Sequence, residues 1–147
     1  MNGAGDASWR APGALAGSRV LVLEDTYLLA TELARALRSQ DAEVVGPAPT
    51  LEAATRLAAL DSVGERLDGA LLNVNICGEM VYPLADALLS RAVPVVFVTG
   101  YDAVTLPEHY AGISCCQKPV RPEAVLRALL LHRARLSGDL RISASGR

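Results

Sequence analysis

The sequence predicts an α/β domain built on a doubly wound, five-stranded parallel sheet, a (βα)5 arrangement. Three observations lead there. Short apolar runs alternate with segments whose apolar residues recur at helical spacing. The apolar runs are continuous, as expected of strands covered on both faces. Right-handed crossovers then leave this sheet as the natural closure of the alternation. The 147 residues suit one domain, and 51% hydrophobic against 20% charged residues supplies a sizeable core.

Residues 1–17 are rich in Gly and Ala, with Pro12 and a lone Trp9, and show no lasting period. They are expected to form a flexible arm ahead of a domain over 18–136, with 137–147 as a tail. Val20-Leu21-Val22-Leu23 reads as the first strand and ends abruptly in Glu24-Asp25. Leu29, Leu33 and Leu37 mark one face of a helix. Glu43-Val44-Val45, before Gly46-Pro47, is a short second strand. Thr50 is placed to cap a helix through Leu60, with Glu52 in its first turn. Ala70-Leu71-Leu72 is the third strand, closing at Asn73, and a helix over Pro83 to Leu89 follows. Val93 to Val98 is the clearest strand and runs into Thr99-Gly100.

Gly100, Pro107 and Gly112 punctuate the next segment, which predicts a short or mobile helix there. Ile113 to Cys116 is a weaker strand meeting Lys118-Pro119. Pro122 suits the first turn of a last helix whose apolar face carries Val125, Leu126, Leu129 and Leu130.

The net charge of −2 carries no concentrated basic face, which argues against nucleic acid as the partner. The basic residues His132, Arg133, Arg135 and Arg141 are expected to be a solvated helix end. No apolar run approaches the roughly 20 residues of a membrane span, and no secretion signal opens the chain, so a cytoplasmic protein is expected. Cys77, Cys115 and Cys116 are odd in number and read as free thiols. Neighbours on a strand, Cys115 and Cys116 would point to opposite faces and could not readily share a zinc ion. His109 and His132, expected at the surface, lie near no Ser or Cys in a nucleophile pattern, so no enzyme is expected.

Ligands of such sheets bind at the carboxyl ends of the strands. The first strand delivers Glu24 and Asp25 there, the third Asn73, the fourth Thr99 and the fifth Lys118. The acid pair offers hard oxygens suited to Mg²⁺. A hydroxyl and an ammonium could hold phosphoryl oxygens. Singly, each has a bland reading as a cap, turn or bend; their joint placement is the signal.

Across roughly Arg19 to Leu131 the chain resembles the receiver domains of two-component signalling, with their flavodoxin-like, CheY-like fold. The resemblance rests on Leu21-Val22-Leu23-Glu24-Asp25, Ala70-Leu71-Leu72-Asn73-Val74-Asn75, Phe97-Val98-Thr99-Gly100-Tyr101 and Gln117-Lys118-Pro119. The third stretch resembles the subgroup marked by Phe-Ala-Thr-Gly-x-Tyr, often paired with HWE-type histidine kinases. It implies that Glu24 and Asp25, with Asn75, bind Mg²⁺, that Thr99 is the switch hydroxyl, and that Lys118 is the phosphoryl counter-charge. It also implies a cis Lys118-Pro119 bond and a partner face through Tyr101, Cys115 and Pro119. Cys115 stands where many receivers carry an aromatic switch residue.

Asn73 departs from the pattern, because the family's phosphoacceptor is an aspartate. An amide oxygen is a far poorer nucleophile than a carboxylate. Its neutrality should also weaken Mg²⁺ binding, and Lys118 is expected to turn to Asp25. The expected protein is a single-domain response regulator that is not phosphorylated, a pseudo-receiver or a receiver locked off by an engineered Asn73. Glu79 or Asp102 could replace the acceptor only if loop positioning allowed it. The expected partner is a sensor histidine kinase or another signalling protein. A phosphorylation-independent adaptor is the compatible alternative. A small flavin or nucleotide binder is the rival from another class, but Glu24-Asp25-Thr26 replaces its phosphate loop.

Overall fold

The structure, a computed structural model, describes residues 13–59, 66–100 and 106–136. Along them run β1 (Arg19–Leu23), α1 (Tyr27–Ser39), β2 (Glu43–Ala48), α2 (Leu51–Ala59), β3 (Gly69–Asn73), β4 (Asn75–Ile76) and β5 (Glu79–Met80). Then come α3 (Tyr82–Ser90), β6 (Val95–Thr99), a 3₁₀ turn (Glu108–Tyr110), β7 (Ser114–Gln117) and α4 (Pro122–Leu136). Five strands pair in parallel in the order β2-β1-β3-β6-β7. This is the flavodoxin-like order that the receiver resemblance implies for the expected doubly wound sheet.

Side-chain alternation along the strands divides the core in two. Leu21, Leu23, Ala70, Leu72, Val95 and Phe97 face α2 and α3, packing on Ala54, Ala58, Leu84 and Leu88. Val20, Val22, Leu71, Val96 and Val98 face the other way, onto Leu33 and Leu37 of α1 and Val125, Leu126 and Leu129 of α4. Thr50 caps α2 as expected, its Oγ1 accepting the Ala53 N–H at 3.1 Å.

The packed domain begins earlier than expected. Residues 13–17 form a turn that buries Leu15 completely against the α1–α4 side, and the Leu15 N–H donates to the Gln40 carbonyl at 3.2 Å. The expected arm over 1–17 is therefore too long at its C-terminal end. A single leucine carries no periodicity, so its burial had no sequence signal. Leu15→Ala should lower unfolding free energy by about 2–4 kcal/mol in urea titration; a free arm would give no change.

β2 also runs further than expected, to Ala48, through a cis Gly46-Pro47 bond and a register shift against β1. Proline is tolerated because β2 is an edge strand. Gly46 has φ +97°, and a Cβ there would lie 2.7 Å from the Ala48 nitrogen. Between β3 and α3 lies a small hairpin, β4–β5, with no counterpart in the sequence reading. Its turn residues Cys77 and Gly78 have φ +53° and +87°. A cysteine in that conformation is uncommon, so the usual Asn-Gly hairpin signal was missing.

Between β6 and β7 the only described helix is the 3₁₀ turn, which agrees with the expected short one. Tyr110 anchors it with 1% exposure. Its ring lies 5.2 Å from those of Tyr82 and Phe97, and its hydroxyl donates to Asp86 Oδ1 at 2.5 Å. His132, expected at the surface, is buried with Nδ1 3.0 Å from the Val95 carbonyl, while Arg133 donates to Ser18 Oγ at 2.7 Å. The solvated helix end is thus corrected for these two residues. Val125, Leu129 and His132 repeat at i, i+4 and i+7, a period that could have placed the histidine on the inward face.

Candidate functional site

β1, β3, β6 and β7 bring the expected groups to one edge of the sheet. β1 stops at Leu23 and releases Glu24, 2% exposed, into the interior and Asp25 toward solvent. β3 ends on Asn73, 5% exposed, and β6 ends on Thr99, which is also buried. The Thr99 carbonyl accepts the Lys118 backbone N–H at 2.7 Å, which fixes where β7 hands over Lys118. The Lys118-Pro119 bond is cis.

The side chains converge on the acid pair. Lys118 Nζ lies 3.1 Å from Glu24 Oε2, so the lysine pairs with Glu24 and not with Asp25 as expected. Burial explains the choice: the Glu24 side chain is 1% exposed, whereas the exposed Asp25 carboxylate is stabilised by hydration. The same Glu24 oxygen accepts the Thr26 N–H at 2.9 Å. Asn73 Nδ2 donates to Glu24 Oε1 at 3.2 Å and to Asp25 Oδ1 at 3.4 Å. The orientation of this amide follows from chemistry. Asn73 Oδ1 accepts the Asn75 backbone N–H at 3.2 Å, and a backbone N–H can only donate, so the NH₂ must face the acids.

The β4–β5 hairpin follows β3 at this edge. The Asn75 side chain turns into the hairpin itself, Oδ1 accepting the Gly78 N–H at 2.9 Å. At its tip the Cys77 thiol lies 3.7 Å from Asp25 Oδ2. Partial desolvation, then the Asp25 charge and hydrogen bond, push this thiol above its ordinary value. Cys115 and Cys116 are pushed up by burial. Asp25→Asn should therefore make Cys77 react severalfold faster with iodoacetamide at pH 8, located by peptide mass spectrometry; an unchanged rate would mean that Asp25 is not its partner.

The remaining residues named from the sequence are less connected. Cys115 is half-buried beside the core that contains Phe97, and Pro119 is exposed. Glu79 is exposed on β5. Tyr101 and Asp102 lie outside the described residues. The hairpin and its thiol were missed, for want of a turn motif.

Mg²⁺ needs oxygen ligands in near-octahedral array. Here Asn73 presents a hydrogen-bond donor to the acids, Lys118 supplies a positive charge, and the Asn75 side-chain oxygen is engaged elsewhere. The residues present do not fit the ion well. Among the described residues, no group of three or more His, Cys, Asp and Glu side chains could hold a metal. No described helix is long and apolar enough to cross a membrane.

No protein-family model and no curated protein matches the chain. Solved structures do. SdrG from Sphingomonas melonis Fr1 is 33% identical, with 77% of this chain and 96% of that one covered and a TM-score of 0.62. The REC domain of the PhyR response regulator of Erythrobacter litoralis is 23% identical over 82% of this chain and 92% of that one, with a TM-score of 0.63. A mutant form of the anti-anti-sigma factor PhyR of Bartonella quintana is 20% identical over 96% of this chain and 55% of that one, with a TM-score of 0.67.

Proposed function

The chain belongs to the receiver domains of response regulators, and from that premise we propose that it is a regulator which works through protein contacts without accepting a phosphoryl group. The observation that carries this reading is Asn73. The residue stands at the end of β3, facing the acid pair, whose Glu24 also holds the Lys118 ammonium, with an amide where a nucleophilic carboxylate would have to be. Phosphoryl transfer depends on placing an anionic oxygen in line with phosphorus. Here a donor nitrogen occupies the place nearest the acids.

The partner in this reading is a cytoplasmic signalling protein, a sensor histidine kinase or another regulator. Tyr27 and Leu28, 83% and 65% exposed at the start of α1, support contact with a protein beside the site. Large apolar side chains clustered at a surface favour interfaces. The adaptor reading differs only in that the partner is bound constitutively, and the neutral amide favours it.

The test is incubation of the protein and an Asn73→Asp version with acetyl phosphate and Mg²⁺, followed by intact mass spectrometry. The Asp version is expected to gain one phosphoryl group and the Asn73 chain none. A phosphoryl group on the Asn73 chain would overturn the reading and point to a neighbouring carboxylate.

A further inference from the structure

Every carboxylate oxygen of the acid pair has a donor from the protein. Glu24 Oε1 takes Asn73 Nδ2, and Oε2 takes Lys118 Nζ and the Thr26 N–H. Asp25 Oδ1 takes the second contact from Asn73 Nδ2, and Oδ2 takes the Cys77 thiol. Two carboxylates crowded at one strand end repel each other unless something positive lies between them. In this chain the bridging group is a side-chain amide, braced by Lys118.

We propose that the Asn73 amide, with Lys118, stands in for a divalent cation, so that the acid pair is satisfied by the protein and Mg²⁺-independent. The inference rests on the receiver reading of the site, but concerns the cation alone. Admitting Mg²⁺ would require the Asn73 NH₂ to leave the acids. Turning the amide over would set its NH₂ against the Asn75 N–H, two donors facing one another. Swinging it aside would leave a buried amide without partners. An aspartate at 73 reverses both arguments: it offers an oxygen ligand and raises the formal charge of Glu24, Asp25, residue 73 and Lys118 from −1 to −2. The hairpin adds the last of these donors, the Cys77 thiol 3.7 Å from the outer oxygen of Asp25.

A group that binds only the folded state raises the melting temperature by mass action. Thermal unfolding of the full chain, Asn73→Asp and Asn73→Ala would be followed by circular dichroism in EDTA and in 10 mM MgCl₂, at matched ionic strength. The Asn73 chain is expected to melt at the same temperature in both buffers. Asn73→Asp is expected to gain about 3–5 °C from Mg²⁺, and Asn73→Ala, which only removes the donor, a smaller rise. If Asn73→Asp does not fold, Asn73→Ala carries the comparison.

An Asn73 chain that gains as much as its variants would overturn the inference, because the cation would then enter despite the amide. Variants that gain nothing would overturn it as well, because the amide would not be what excludes the ion. Either failure leaves the proposed function standing as long as the Asn73 chain stays unphosphorylated in acetyl phosphate.

Discussion

Replacing Lys118 with alanine should cost the fold about 3 kcal/mol, read as a lower urea midpoint with an unchanged slope. The lysine is the counter-charge of Glu24, whose side chain is 1% exposed, and their contact measures 3.1 Å. Removing the ammonium leaves a carboxylate in the interior with only the Thr26 N–H and the Asn73 amide to hold it. Breaking a buried pair from one side is much more costly than never having formed it. For that reason Glu24→Gln combined with Lys118→Ala should be more stable than the sum of the two single losses implies. A coupling near zero in this double-mutant cycle would mean that the pair is screened by water and contributes little.

Tyr110→Ala should cost about 3–5 kcal/mol and loosen the segment between β6 and β7. The 3₁₀ turn brings few apolar residues to the core, and Tyr110 is the one fully buried among them. Its ring packs on Tyr82 and Phe97, and its hydroxyl reaches Asp86 on α3. Tyr110→Phe keeps the packing and should lose about 1–2 kcal/mol for the bond to a charged acceptor. Burial, then the hydrogen bond to and charge of Asp86, push the phenol well above its ordinary value. The folded state therefore favours the neutral phenol, and its contribution is intact below the unfolded tyrosine pKa of about 10. It declines as pH rises beyond that, because the unfolded chain releases the proton first. Tyr110→Phe should lack this part of the alkaline loss; an identical pH slope in both proteins would refute the assignment.

Much of the fold could be read from the chain. Val20–Leu23, Ala70–Leu72 and Val93–Val98 announced buried parallel strands through unbroken apolar runs, and all three lie in the sheet within a residue or two at their ends. The doubly wound parallel sheet followed from the connections, because right-handed crossovers leave few alternatives, while the order β2-β1-β3-β6-β7 is seen in the structure. Glu24, Asp25, Asn73 and Thr99 were recognisable because they close apolar runs, and Lys118 because it follows the weaker last strand; strand ends in this architecture share one edge. The cis Lys118-Pro119 bond agrees with the family resemblance.

What the chain by itself determined, then, is which residues meet: periodicity and strand ends are local properties, and they decide the sheet and which side chains stand at its carboxyl edge. Tertiary structure alone decided how those residues pair. Lys118 chooses Glu24 over Asp25 because one carboxylate is sealed from water and the other is not, a difference that exists only after packing. The Asn73 NH₂ faces the acids because the Asn75 N–H claims its oxygen. Cys77 reaches Asp25 through a turn that its residue type does not advertise. Leu15 and Tyr110 are interior because their neighbours leave space for them, and isolated residues carry no period to foretell it. Burial and hydrogen-bond partnership depend on the whole chain, whereas alternation of strand and helix is written a few residues at a time.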